Sequence, residues 1–84
     1  MLEGVVKDSD ADTLLPGAKI WIELEEVKID SALTDEDGYY SIPGIRIGIY
    51  DVIASMENFV NDTVEAVEIE EGSLTLDFAL AVEE

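Results

Sequence analysis

The sequence predicts an all-β fold: a seven-stranded antiparallel sandwich of two sheets with no significant helix. Three observations carry that prediction. Apolar residues alternate with a period of two almost throughout, the alternating runs are rich in β-branched and aromatic residues, and clusters of Gly, Pro, Asp and Asn punctuate them at 8–17, 35–38, 43–48, 57–62 and 70–73. The strands are expected near 2–8, 18–25, 28–34, 38–42, 48–56, 62–69 and 73–81. With 84 residues the chain has room for one domain, spanning 1–84, and no more.

Each strand has its own warrant. In 18–24, Ala18, Ile20, Ile22 and Leu24 share a face, with Lys19, Trp21 and Glu23 opposite. Tyr40 pairs in phase with Ile42, and Tyr50 with Val52 and Ala54. The last strand places Leu74, Leu76, Phe78 and Leu80 on one face. The third and sixth keep no clean phase, at Ala32/Leu33 and at Val64/Ala66/Val67, and a bulge in the sixth would account for its break. Pro16-Gly17 suits a turn into the second strand. Asp37-Gly38 between two strand-like runs is a hairpin signal. Tyr40 and Tyr50 fall in core phase, with hydroxyls expected to reach an edge.

Composition excludes more than it assigns. Hydrophobic residues make up 48% of the chain, and arranged periodically they oppose disorder. Net charge is −17, from 21 acids and only four Lys and Arg. Phosphate recognition needs those bases, so nucleic acid is not an expected partner. No apolar run reaches the ~20 residues that cross a bilayer, and the start has no leader, so membrane insertion is not expected. An exported parent would contribute this chain as a mature or excised piece. The absence of cysteine removes disulfides and thiolate sites. The absence of histidine removes the commonest general base and the usual zinc ligand. Serines at 9, 31, 41, 55 and 73 therefore have no base partner of the usual kind, and an enzyme is not expected.

The acids raise one sharper question. Reversing connections put alternate loops at opposite ends of a sandwich, so the loops at 8–17, 35–38 and 57–62 should share an end. They carry Asp8, Asp10, Asp12, Asp35, Glu36, Asp37, Glu57 and Asp62. Hard oxygen ligands of this kind suit calcium, and Asp8, Asp10 and Asp12 have the spacing of the first three ligands of an EF-hand loop. The full loop fails, because Thr13 stands where Gly is needed and Lys19 where a bidentate Glu belongs. Two readings stay open: a calcium site split between loops at Asp8, Asp10, Asp12, Asp35 and Asp37, or a solvated acidic end. Trp21, outward on its strand, could contact a glycan or a partner, or pack across strands with Ile29, Ile49 or Ile53 nearby. Asn61-Asp62-Thr63 fits a glycosylation sequon, a frequent chance match.

The order "GVVKD … TLLPGAKI … TDEDGYYSIPGI … GIYDVIA … NF … LDFAL", from Gly4 to Leu80, resembles the carboxypeptidase regulatory-like domains. These are also described as peptidase-associated or prealbumin-like modules. Its most specific parts are Leu15-Pro16-Gly17-Ala18, Thr34-Asp35 with Gly38, and Gly48 with Tyr50; Asn58-Phe59 departs from the usual Gly-Tyr. The resemblance implies a prealbumin/transthyretin-like sandwich acting as a non-catalytic accessory or spacer module, extracellular or at a cell surface. Its partners would be neighbouring domains of the parent chain, another protein or a glycan. Enzymes of this fold that hydrolyse a small substrate rely on histidines, which this chain lacks. The related collagen-adhesin B-type domains crosslink a first-strand Lys to a last-strand Asp or Asn with a buried Glu assisting. Lys7 and Asp77 occupy those strands, but Lys7 is out of core phase and the assisting position is Ala54.

Overall fold

The computed structural model describes residues 1–83 and contains eight strands: β1 (Leu2–Asp8), β2 (Lys19–Leu24), β3 (Val27–Leu33), β4 (Tyr39–Ile42), β5 (Gly48–Ser55), β6 (Asp62–Ile69), β7 (Leu74–Thr75) and β8 (Phe78–Leu80). One sheet has β1 at its centre, with β4 on one side and β7 followed by β8 on the other; the second has the order β3-β2-β5-β6. Among the described residues no helix is long and apolar enough to cross a membrane.

The core lies between the two inward faces that the alternation marks. Ile20 and Ile22 of β2 and Val52 and Ala54 of β5 meet Leu2 and Val6 of β1, Tyr40 and Ile42 of β4, and Phe78 and Leu80 of β8. All of these are at most 2% exposed. The Tyr40 and Phe78 rings sit 6.3 Å apart at a 47° tilt, a favourable edge-biased geometry. Both core tyrosines reach an edge with their hydroxyls: Tyr40 donates to the Leu76 carbonyl and Tyr50 to that of Arg46.

Three expectations need correction. The final strand is two strands, so the count is eight and not seven, because the ladder is interrupted at Leu76–Asp77 without a change of register. There Leu76 N donates to the Glu3 carbonyl, and Asp77 Oδ1 accepts from Val5 N in place of a ladder carbonyl. Gly4 makes this close approach sterically feasible: a Cβ on it would lie 2.1 Å from the Leu76 oxygen. Second, the sandwich is not wholly antiparallel. β7 and β8 run parallel to β1, as Val6–Phe78 and Asp8–Leu80 pairing shows, since the chain crosses over from the other sheet before returning. Third, Asp35–Gly38 turns the chain but closes no in-sheet hairpin, because β3 and β4 belong to different sheets. The bulge expected in the sixth strand is present. Register shifts between Tyr50 and Val52, Ala66 has a φ of 55°, and its N–H donates to Asp51 Oδ1. The third strand carries a register shift too, opposite Ile22/Glu23, but at Ala32/Leu33 its pairing is regular: Ala32 packs on the core and Leu33 is simply an exposed apolar residue.

Candidate functional site

The acidic loops do share an end. Antiparallel β1 and β4 bring the end of β1 to the turn before β4, where Val6 N donates to the Gly38 carbonyl. Ser9 N donates to the Leu80 carbonyl, and Val60 N to that of Ala81, which draws the loop after β5 to the same end. What the carboxylates do there is local. Asp8 Oδ1 accepts from the N–H groups of Asp10 and Ala11. Asp35 Oδ1 accepts from those of Asp37 and Tyr39, while the Gly38 N–H closes onto the Asp35 carbonyl. Each carboxylate thus organises its own turn, as short polar side chains do in Asx turns.

Asp12, held at a φ of 57°, lies 2.7 Å from Lys7 Nζ. That contact holds the Asp12 carboxyl below its ordinary range and raises the Lys7 ammonium above its own. Asp10 and Asp37 lend their backbone N–H groups to these turns. Among the described residues no three acids are grouped closely enough to hold a metal ion. The Lys7 ammonium faces Asp12, and Asp77 accepts from Val5 N.

Trp21 sits on the outward face of the second sheet, half-buried, opposite Ile53 of β5 and Ser31 of β3. Ile53, also outward, is only 7% exposed, so the pair packs across the strands. Two lysines flank the indole: Lys28 Nζ lies 5.2 Å and Lys19 Nζ 5.9 Å from the ring centroid. Both distances are in cation–π range. The indole N–H donates to Glu23 Oε2 at 2.8 Å, which fixes the ring's orientation. Lys19 beside it pulls Lys28 below the ordinary lysine range. Lys19 could be read in phase with Trp21 from the sequence. Lys28 could not, because its place depends on the β2–β3 turn, which carries no Gly, Asn or Asp to announce it.

A second feature is visible only in three dimensions. A cavity of about 350 Å³ opens between the β2–β3 pair and the β4–β5 loop, lined by Ile22, Leu24, Ile29, Ile45 and Tyr50 with Asp30 and Arg46. Leu24, Val27, Ile29, Ile47 and Ile49 are 42–67% exposed, and Leu24 and Ile29 among them line its mouth. At the same end Glu68 and Glu70 lie together, and the Glu70 carboxyl, through a shared hydrogen bond first and its charge second, raises the Glu68 carboxyl above its ordinary range.

The fold and the turn chemistry converge on one family, and the sequence model of the carboxypeptidase regulatory-like domain matches residues 1–81. The chain belongs to the carboxypeptidase regulatory-like domain family. No sequence among curated proteins matches it significantly. Solved structures with the same fold include the 5-hydroxyisourate hydrolase of Klebsiella pneumoniae, 17% identical, with a TM-score of 0.74 over 99% of this chain and 91% of that one. A candidate carbohydrate binding protein from Bacteroides uniformis is 19% identical, with a TM-score of 0.75 over 94% of this chain and 40% of that one. A chain of a type II cohesin-X-dockerin complex from Acetivibrio cellulolyticus is 19% identical, with a TM-score of 0.65 over 92% of this chain and 51% of that one. This carboxypeptidase regulatory-like domain therefore spans about half or less of the last two. Likeness at such identity establishes a prealbumin-type sandwich, not an activity.

Proposed function

We propose that this carboxypeptidase regulatory-like domain is a non-catalytic accessory module of a larger secreted or cell-surface protein, a spacer that also contacts neighbouring domains or another protein. The observation that carries this reading is the parallel pairing of β1 with β8. It brings the chain in at one end of the sandwich and out at the other, the geometry by which modules join in series. The cohesin-X-dockerin likeness, to part of a larger chain within a complex, supports it. The hydrolase likeness does not extend to chemistry on the residues present. The chain has no His or Cys, and the 350 Å³ cavity is walled mainly by aliphatic side chains, its polar lining being Asp30, Arg46 and a Tyr50 hydroxyl donated to a backbone carbonyl.

A second reading, calcium-dependent adhesion or glycan contact, draws on three facts. The acidic loops meet at one end, Trp21 lies on the open sheet face, and a candidate carbohydrate binding protein shares the fold. The engagement of Asp8, Asp12 and Asp35 with their own loops weighs for the spacer.

Small-angle scattering of two copies joined in tandem tests the spacer. The maximal dimension should grow by between 24 and 35 Å per copy, the two larger extents of the domain. A tandem that folds back side by side overturns it, and turnover of 5-hydroxyisourate would overturn the non-catalytic assignment. Trp21 is the chain's single tryptophan, so a shift of its emission on adding glycans would favour the second reading.

A further inference from the structure

The sandwich has four sheet edges, and three are defended against strand pairing. β6 carries Asp62, Glu65 and Glu68 and is bulged at Ala66. β4 has four residues and runs into Pro43. The β7–β8 edge is broken at Leu76–Asp77. Charged side chains (lysine above all), proline, shortness and bulges are the devices that keep an edge unpaired. On β3 these devices are confined to its first part: Lys28, Asp30 and one bulge between them, while from Asp30 to Leu33 its register against β2 is regular and Ser31–Leu33 carry no charge. Val27, Ile29 and Leu33 are 50–66% exposed on it. The Ser31 N–H ends on the neighbouring Asp30 Oδ1, a side-chain stand-in for a ladder partner.

The chain's scarce cations gather here. Of four Lys and Arg, Lys28 is on β3, Lys19 on β2 and Arg46 across the cavity. The fourth, Lys7, makes the ion pair with Asp12; among the described residues the other three make none. From these observations we propose that β3 is the docking edge for an extended acidic segment of a partner protein, added as a strand and carrying carboxylates that alternate with aliphatic side chains.

Each part of that chemistry has its counterpart. Lys19 and Lys28 converge over Trp21, opposite Ser31, whose small side chain leaves the outer face open. An added strand lies ~4.8 Å beyond β3, so an outward carboxylate at that level comes within reach of both ammonium groups. The two lysines crowd one another, and the carboxylate opposite Lys28, Glu23, also accepts from the indole N–H, so an anion placed between the ammonium groups relieves their repulsion; the depression of Lys28 by Lys19 reports the same crowding. Inward side chains of the same strand point toward the aliphatic cavity beside Ile29 and Ile45. A second copy of this chain would bring its own −17 against this one, which disfavours it as the occupant. A short acidic segment escapes that penalty, because distant charges are screened beyond ~8 Å at physiological salt.

The inference deepens the proposed accessory role by naming a partner chemistry, and it fails separately, since the tandem measurement does not involve β3. The test is an NMR titration of the ¹⁵N-labelled domain with a synthetic peptide alternating valine and glutamate. Shifts should concentrate on β3, Lys19–Trp21 and the 43–47 loop. The same peptide with lysine for glutamate, and the Lys19→Glu/Lys28→Glu variant with the original peptide, should each bind about tenfold more weakly or worse. Ser31→Pro removes an N–H from an edge position where proline is tolerated, so it should abolish binding while leaving the melting temperature nearly unchanged. Three results overturn the proposal: no response at β3, equal binding of acidic and basic peptides, or wild-type binding by folded Ser31→Pro. A peptide-free dimer that buries β3, seen by sedimentation, overturns it as well by naming a different occupant. Should Ser31→Pro unfold, the charge-reversed pair still decides.

Discussion

Thr34 is the buried polar residue of this core, 6% exposed, and its hydroxyl joins two loops. It donates to the Leu15 carbonyl at 2.6 Å and accepts from Ala18 N at 2.8 Å. The backbone repeats the link, with Gly17 N donating to the Thr34 carbonyl and Thr34 N to that of Ala18. Leu15–Ala18 and Thr34–Asp35, the stretches that identify the family by eye, are thus bonded to one another, a fact invisible along the chain. Thr34→Val keeps the shape but strands a carbonyl and an N–H, so it should cost about 3 kcal/mol. Thermal unfolding should then fall by more than ~10 °C. An unchanged melting temperature would mean the loop is held by its backbone bonds alone. Tyr40 makes the pH prediction at this scale. Burial first, and Asp77 second, push its phenol well above the ordinary range. A raised folded value means the stabilisation is complete below the unfolded pKa of ~10 and is lost as pH climbs past it. Urea unfolding midpoints should therefore drop between pH 9 and pH 11, and Tyr40→Phe should flatten that drop while lowering stability at neutral pH. The core phase of Tyr40 was legible from alternation; its bond to Leu76 was not, because it depends on a break in another strand's ladder.

Among the elements, the β2–β3 turn is the one the sequence conceals. Leu24 faces Val27, leaving a two-residue turn of Glu25 and Glu26 with φ of 51° and 68°. Such turns need positive φ at both central residues, hence the usual Asn-Gly; two glutamates pay in backbone strain and adjacent like charge. Glu25→Asn/Glu26→Gly should stabilise the domain by about 1–2 kcal/mol, a rise of ~5–10 °C in melting temperature. No rise would point to a role for the glutamates in the unfolded or bound state. The last strand shows the opposite difficulty. Its alternation from Leu74 to Leu80 looks continuous, yet the ladder breaks where the Tyr40 hydroxyl takes the Leu76 carbonyl, which sits against the bare Cα of Gly4. Period alone cannot register a competing partner from a strand 36 residues away.

At the scale of the whole molecule, charge dominates. A net −17 on a body of 35 × 24 × 15 Å repels itself, so stability should rise with NaCl as screening sets in. With Asp8, Asp12 and Asp35 engaged locally, millimolar calcium should raise the melting temperature of EDTA-treated protein no more than magnesium or matched NaCl does. A saturated site at a hundredfold its Kd would instead add ~2.7 kcal/mol, more than ~10 °C. A calcium-selective shift of that size would show that the loops close around an ion after all.

By itself the sequence determined the strand faces, most of the turn positions, the family and the excess of acid. All of these follow from local periodicity, backbone propensity and composition, which read along the chain. Tertiary structure alone decided the parallel return of β7 and β8 beside β1, the Thr34 link, the two lysines over Trp21 and the regular outer half of the β3 edge. Those depend on register and on which strands become neighbours, and neighbours are chosen by packing across the core, not by adjacency in sequence.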